Sequence, residues 1–212
     1  MKEFSKWTLD EVEEFFHVAS VKEDVCLREW LSVELPVTSD ETQQLQQLGV
    51  TLNEHVHDWN EEELKLKFIG FVLALVKYDQ ADYQAFFERR LALKIGQERL
   101  TGVVDCVIAA GKHTPKRPFF CLHEYKPERH SANDPLAQTL VAMAVAQRLN
   151  QDARPMYGAY IMGRNWYFIT LHDDAYAVSP AYDATKDADL KRIFMALRGI
   201  KIMIEQALQQ NA

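Results

Sequence analysis

Cysteine is scarce in this chain and carries no pattern. Cys26, Cys106 and Cys121 are the three cysteines in 212 residues, an odd number with no CxxC spacing, which argues against a disulfide framework and against a thiolate zinc site. Long apolar runs are missing too. Phe68 to Val76 falls far short of the ~20 residues that a membrane span needs, and Met1-Lys2-Glu3-Phe4-Ser5 has no signal-peptide apolar region, so the expectation is a cytoplasmic protein without membrane contact. Positive charge is in deficit: 24 Lys and Arg against 31 Asp and Glu leave a formal charge of -7 and a pI near 5.5. A nucleic-acid contact would therefore have to use a local basic strip within an acidic surface. A phosphate-binding P-loop is absent as well, because Gly111-Lys112-His113 lacks the upstream Gly and the Ser or Thr after Lys.

What is present is a chain with 48% hydrophobic residues, long enough to bury roughly 70% of its unfolded surface in one substantial core. Its most informative stretch is Val103-Val104-Asp105-Cys106-Val107-Ile108, a turn-forming connection, and then Phe119-Phe120-Cys121-Leu122-His123-Glu124-Tyr125-Lys126. Both flanks are rich in β-branched or aromatic residues, and Gly111 to Pro118 carries the punctuation of a turn, which predicts a β-hairpin. Alternation puts Val103, Asp105 and Val107 on one face and Phe120, Leu122, Glu124 and Lys126 on one face, with Cys106 and Cys121 on the opposite side as buried small hydrophobes. Symmetric closure with Ala110 across from Phe119 places Asp105 across from Glu124. Like charges so placed repel, by about 4 kcal/mol at 4 Å and an effective dielectric of 20. Something positive is expected between them, either Lys126 or a divalent cation held by carboxylate oxygens.

Along the rest of the chain, Thr8 with Glu11 and Thr38 with Glu41 have capping-box form and open helices, with another helical piece over Val25 to Leu35 and Gly49 suited to a helix C-terminus. His55-x-His57 places two imidazoles on one side of an extended segment, without a third ligand nearby. Asn60 with Glu63 caps a helix whose buried face runs through Leu64, Phe68, Phe71, Val72 and Leu75, and Glu61 continues that face at its N-terminal end. Phe86 to Ile95 alternates as a strand. Leu136 to Leu149 is apolar almost all round, which predicts a helix buried against a sheet, and Gln138 on it is an amide in need of partners. Met156 to Met162 and Trp166 to Leu171 flank Gly163-Arg164-Asn165 as a second hairpin, with a short strand over Tyr176 to Val178. Asp187 to Gln209 is a long closing helix, with Lys191, Arg198 and Lys201 on one side as a solvated face or a phosphate-facing strip.

A helix with an early Glu, then strands carrying Asp105 and Glu124-Tyr125-Lys126, then a helix with an inward Gln138, resembles the PD-(D/E)xK nuclease superfamily over roughly residues 59 to 180. Val104 stands where the motif has Pro. More locally the region is similar to stand-alone relatives of the N-terminal nuclease part of type I restriction motor subunits. The resemblance implies an α/β fold, a restriction-endonuclease-like αβββαβ core with a mixed central sheet flanked by helices, over residues 59–212, preceded by a small helical region at 1–58. It further implies a metal-dependent nuclease that hydrolyses phosphodiester bonds, with DNA as partner, in a restriction, repair or mobile-element context, and it leaves a homodimer open. Mg²⁺ or Mn²⁺ would be held by Asp105, Glu124, the Tyr125 carbonyl and Glu61. Lys126 would position the attacking water or stabilise the transition state, and Gln138 would hydrogen-bond the water or a neighbouring group. Arg129, Arg148 and Arg164 are candidate phosphate contacts. The competing expectation is a nuclease-like fold that only binds nucleic acid or protein, with Asp105, Glu124 and Lys126 as a satisfied ion cluster.

Overall fold

A computed structural model of the chain describes residues 2–129 and 134–209. The helix starts follow from local chemistry. Thr8, Thr38 and Asn60 each accept a hydrogen bond from the N–H three residues on, and Glu11, Glu41 and Glu63 reach back to the cap N–H, closing three capping boxes before α1 (Leu9–Phe16), α3 (Ser39–His55) and α4 (Glu61–Leu64). Asp24 caps α2 (Val25–Leu31). α3 does not stop at Gly49. It runs through it, because a hydrogen in place of a side chain lets the helix lie against the C-terminal region, where an added Cβ would stand 3.3 Å from Leu190 Cδ2.

α4 continues into a π-helical segment, Lys65–Ile69, and then into α5 (Gly70–Val76). The wider π turn rotates the residues beyond it about the helix axis. Leu64, Phe68, Ile69, Val72 and Leu73 are buried, whereas Phe71, expected inside from a regular period, is 56% exposed.

The strands form one mixed sheet. β3 (Tyr83–Ile95), β4 (Glu98–Ala110) and β5 (Lys116–Lys126) are antiparallel neighbours. α6 (Pro135–Asn150) then crosses over so that β6 (Met156–Met162) lies parallel to β5. β7 (Asn165–His172), β8 (Ala175–Val178) and β9 (Tyr182–Asp183) complete the far side, and α7 (Asp187–Gln209) closes the chain. Two short N-terminal strands join this sheet: β1 (Lys2–Glu3) runs parallel to β4, and β2 (Ala19–Ser20) parallel to β8.

Helices cover both faces. One core packs α2, α3, α4, α5 and α7 on the sheet, and the other packs α1, α6 and the 3-10 turn Phe4–Lys6. Residues before 59 thus enter both cores. Trp30 Nε1 donates to the Ala196 carbonyl at 2.7 Å and Arg198 donates to the Pro36 carbonyl at 2.8 Å, so α7 holds the N-terminal helices. Arg198 and Lys201, which donates to the Lys77 carbonyl, serve packing and do not form a free phosphate-facing strip with Lys191. α6 is buried on all sides from Ala137 to Ala146, as its composition demands. No helix among the described residues is long and apolar enough to cross a membrane.

Candidate active site

Two strands share one edge of β4 and leave a gap between them. β3 occupies the other edge over the whole length of β4. On the shared edge β5 pairs with residues 106–110 and β1 with residues 100 and 101, so residues 102–105 have no strand partner there. The expected closing pair of the hairpin does not form: Phe119 lies across from Ala109, Lys116 lies across from Ala110, and the ladder shifts register at both steps. Below those shifts the pairs Ile108–Cys121, Val107–Leu122 and Cys106–His123 follow the expected register, and one further step puts Asp105 across from Glu124. There the strands part. In place of a ladder bond, the Tyr125 N–H donates to Asp105 Oδ2 at 2.7 Å. In an extended strand the N–H and C=O of one residue point the same way, so the Tyr125 carbonyl also faces this notch.

The β3 side is distorted at the same level. Phe87 pairs with Cys106 and Arg89 with Val104, but the intervening Glu88–Asp105 pair is missing from the ladder, and Glu88 has a φ of 51°. A left-handed backbone at a residue other than Gly, Asn or Asp is strained. Its consequence is a change of face. Val104 packs in the core beside α6, whereas Cys106, two residues on, packs in the opposite core with Cys121. Val103 is 38% exposed. The expected common face of Val103, Asp105 and Val107 is therefore broken at Asp105, which turns its carboxylate toward α4 and β5.

Two ammonium groups meet the carboxylates in this notch. Lys65, one turn beyond Glu61 on the same helix, places Nζ 2.8 Å from Asp105 Oδ1, 2.8 Å from Glu61 Oε1, 3.0 Å from Glu88 Oε1 and 3.4 Å from the exposed Glu62. Lys126 Nζ donates to Glu124 Oε1 and stands 3.6 Å from Glu61 Oε2. Glu61, rather than Glu62, is thus the helix carboxylate that reaches both lysines. Lys65 and Glu88 are not singled out by the sequence. The available signal for Lys65 is its i,i+4 spacing from Glu61, and nothing local marks Glu88.

Burial and charge set the protonation of this group. Glu124 is 3% exposed. Its burial, with Asp105 and Glu61 nearby, lifts its pKa to about 8 against the opposing pull of Lys126. Burial alone would lower both lysines, but the surrounding carboxylates outweigh it and hold both above the ordinary lysine range. Glu61, Glu88, Asp105 and Glu124 carry four negative charges when ionised and Lys65 and Lys126 carry two positive ones, an imbalance equal to one divalent cation. The oxygen-only donors Asp105, Glu124, Glu61 and the Tyr125 carbonyl suit a hard ion such as Mg²⁺ or Mn²⁺, so the residues fit it. Among the described residues, however, no three His, Cys, Asp or Glu groups are gathered round a common metal-sized centre, because lysine ammonium lies between them.

Behind the notch, His123 sits between Cys121 Sγ at 3.4 Å and the Tyr125 hydroxyl at 3.1 Å. Burial pulls its pKa down to about 4 and pushes the Cys106 thiol up to about 12, so this layer is neutral and structural. Gln138 does not join the ion cluster. It lies on α6, 9% exposed, with Oε1 buried and accepting no hydrogen bond among the described residues. Of the arginines, Arg148 donates to the Phe16 carbonyl and Arg164 to Glu128, and Arg129 is exposed. His55 ends α3 and stacks on Trp59 while His57 contacts Arg164, so the two histidines do not lie on an extended segment. Comparison with protein-family models and with curated proteins returns no match to this chain.

Proposed function

We propose that the chain is a metal-dependent nuclease of the PD-(D/E)xK type that hydrolyses phosphodiester bonds in DNA. The observation that carries this reading is the meeting of buried Asp105 and Glu124 with Lys126 and Glu61 at the point where β4 and β5 part. The chain order of α4 to α5, β3, β4, β5, α6 and β6, with β5 and β6 parallel, supports a restriction-endonuclease-like αβββαβ core. A Mg²⁺ or Mn²⁺ ion held by Asp105, Glu124, Glu61 and the Tyr125 carbonyl would supply acidification of a water and relief of phosphate charge. Lys126 stays protonated beside Glu124, so it acts as a fixed positive charge that orients the water and faces the charge developing on phosphorus. Glu124 positions that ammonium, and Asp105 is itself fixed by the Tyr125 N–H.

A second reading rests on Lys65. Its ammonium lies among the carboxylates that the cation would use, which favours a nuclease-like fold that binds nucleic acid or protein with its ion cluster satisfied. One experiment separates the two. Purified protein is incubated with single- and double-stranded DNA in Mg²⁺ or Mn²⁺ and in EDTA, beside Lys126→Met. The nuclease reading expects cleavage that needs the cation and falls at least 100-fold in the variant, about 3 kcal/mol of transition-state stabilisation. DNA left intact by a protein that binds no Mn²⁺ in calorimetry leaves the binding fold as the function.

A further inference from the structure

The unpartnered edge of β4 holds a second feature beside the ion cluster. A pocket of about 230 Å³ is lined by Glu3, Ser5, Arg90, Gly102, Val103 and Gln138. The 3-10 turn is seated here because residue 102 is Gly: an added Cβ would stand 2.2 Å from the Phe4 ring. Into this pocket α6 brings Gln138, whose Oε1 accepts no hydrogen bond among the described residues, in a side chain only 9% exposed. A buried acceptor without a donor is rare in folded proteins and calls for an explanation. Its neighbours supply one. Arg90 is exposed and directs one guanidinium N–H to Thr101 Oγ1 at 3.3 Å, and it brings a positive charge to the pocket. The Gln138 side chain lines the pocket, and the exposed Glu3 carboxylate presents an acceptor. The complementary ligand has an anionic end, N–H or O–H donors and a body of modest size, the chemistry of a nucleotide. Position agrees, because residues 102 and 103 lie on the same strand edge as Asp105, roughly 7 to 10 Å along it.

We propose that this pocket takes the nucleotide adjoining the scissile phosphodiester, with the donor groups of that nucleotide on Gln138 Oε1 and its phosphate on Arg90. The proposal rests on the nuclease reading and gives Gln138 a role in holding substrate rather than in binding the cation or the attacking water.

The test titrates a fluorescein-labelled single-stranded DNA of mixed sequence into the full chain in Ca²⁺, a hard cation with the same oxygen ligands, and measures Mn²⁺ affinity by calorimetry and Tm for each protein. Gln138→Met is expected to weaken DNA binding about tenfold, the worth of one hydrogen bond, to keep Mn²⁺ affinity within about twofold, and to raise Tm because an orphaned acceptor is gone. Arg90→Gln is expected to weaken DNA binding and to lower its salt slope by about one. Wild-type DNA affinity in either variant overturns the proposal. So does a loss of Mn²⁺ affinity in Gln138→Met, which would put the amide at the cation. If Gln138→Met lowers Tm, the surface variant Arg90→Gln decides alone. Wild-type protein that binds neither Mn²⁺ nor DNA overturns the nuclease reading and this proposal with it.

Discussion

Glu124→Gln isolates the most perturbed charge in the notch. With a pKa near 8 against an ordinary value of 4.5, the folded protein holds a proton on Glu124 that the unfolded chain releases. The folded state therefore binds more protons between pH 4.5 and 8, and stability falls as pH rises through that window. Buried His123 works in the opposite sense. Its pKa of about 4 lies below the unfolded value of 6.5, so the unfolded chain binds the extra proton between pH 4 and 6.5 and stability rises there. The two contributions nearly cancel up to pH 6.5, and above it Glu124 acts almost alone. At about 1.4 kcal/mol per pH unit near the middle of the window, the loss between pH 6.5 and 8.5 is about 2 kcal/mol. The residual contribution of His123 returns about 0.4 kcal/mol. For a domain of this size the net loss is a fall in Tm of roughly 3 to 6 °C.

Thermal melts of wild-type and Glu124→Gln protein at pH 6.5, 7.5 and 8.5, in EDTA, measure it. The amide resembles the protonated carboxyl in size and neutrality, so the variant should match wild type near pH 6.5 and be the more stable protein at pH 8.5. A saturating divalent cation should reduce the wild-type slope, since it takes the place of the proton, and should leave the variant's melts little changed. A wild-type Tm that stays level from pH 6.5 to 8.5, or a variant that keeps the wild-type slope, refutes the assignment of the proton to Glu124.

Lys65→Met removes the ammonium shared by Asp105, Glu61 and Glu88. Metal-free stability in urea is expected to drop by about 3 kcal/mol while Mn²⁺ affinity rises about tenfold, since a competing cation has left; unchanged Mn²⁺ affinity would mean that Lys65 and the metal do not compete. Gly102→Ala puts a methyl 2.2 Å from the Phe4 ring and should cost about 3 kcal/mol through ejection of that side chain, read as a lower urea midpoint; an unchanged midpoint would show that the N-terminal turn repacks freely.

Local chemistry is legible in the sequence wherever one segment determines it. Thr8, Thr38 and Asn60 cap helices because the cap and its Glu partner lie three residues apart, and the apolar girth of α6 requires a buried site whatever its neighbours are. The hairpin register is also legible at Cys106–His123, although the turn expected to set it is irregular. Failures fall where a second segment intervenes. Gly49 reads locally as a stop, yet α7 approaches close enough to need it inside α3. Phe71 reads as core until the π turn at Lys65–Ile69 rotates it outward. Lys65 is not singled out by its own segment, and only the fold brings Asp105 and Glu88 to it.

The site itself depends on a property that no single strand encodes, namely where the neighbours of β4 stop. β5 ends its pairing at Cys106 and β1 ends at Thr101, leaving four residues of strand edge whose polar groups need other partners. On β5 the parting leaves the Tyr125 N–H without a ladder partner, and the Asp105 carboxylate accepts it, a bond that draws the carboxylate across to Glu124. On the other edge, the left-handed backbone of Glu88 lets both strands change face together, so that Val104 and Cys106 each keep a buried side chain in opposite cores. A regular strand would have put Asp105 in the same core as Val107, on the face of the sheet away from α4 and its Glu61 and Lys65. The strain at Glu88 and the gap beside Gly102 are therefore parts of one arrangement, which brings a charged residue to the middle of a nine-stranded sheet and still leaves it reachable from outside.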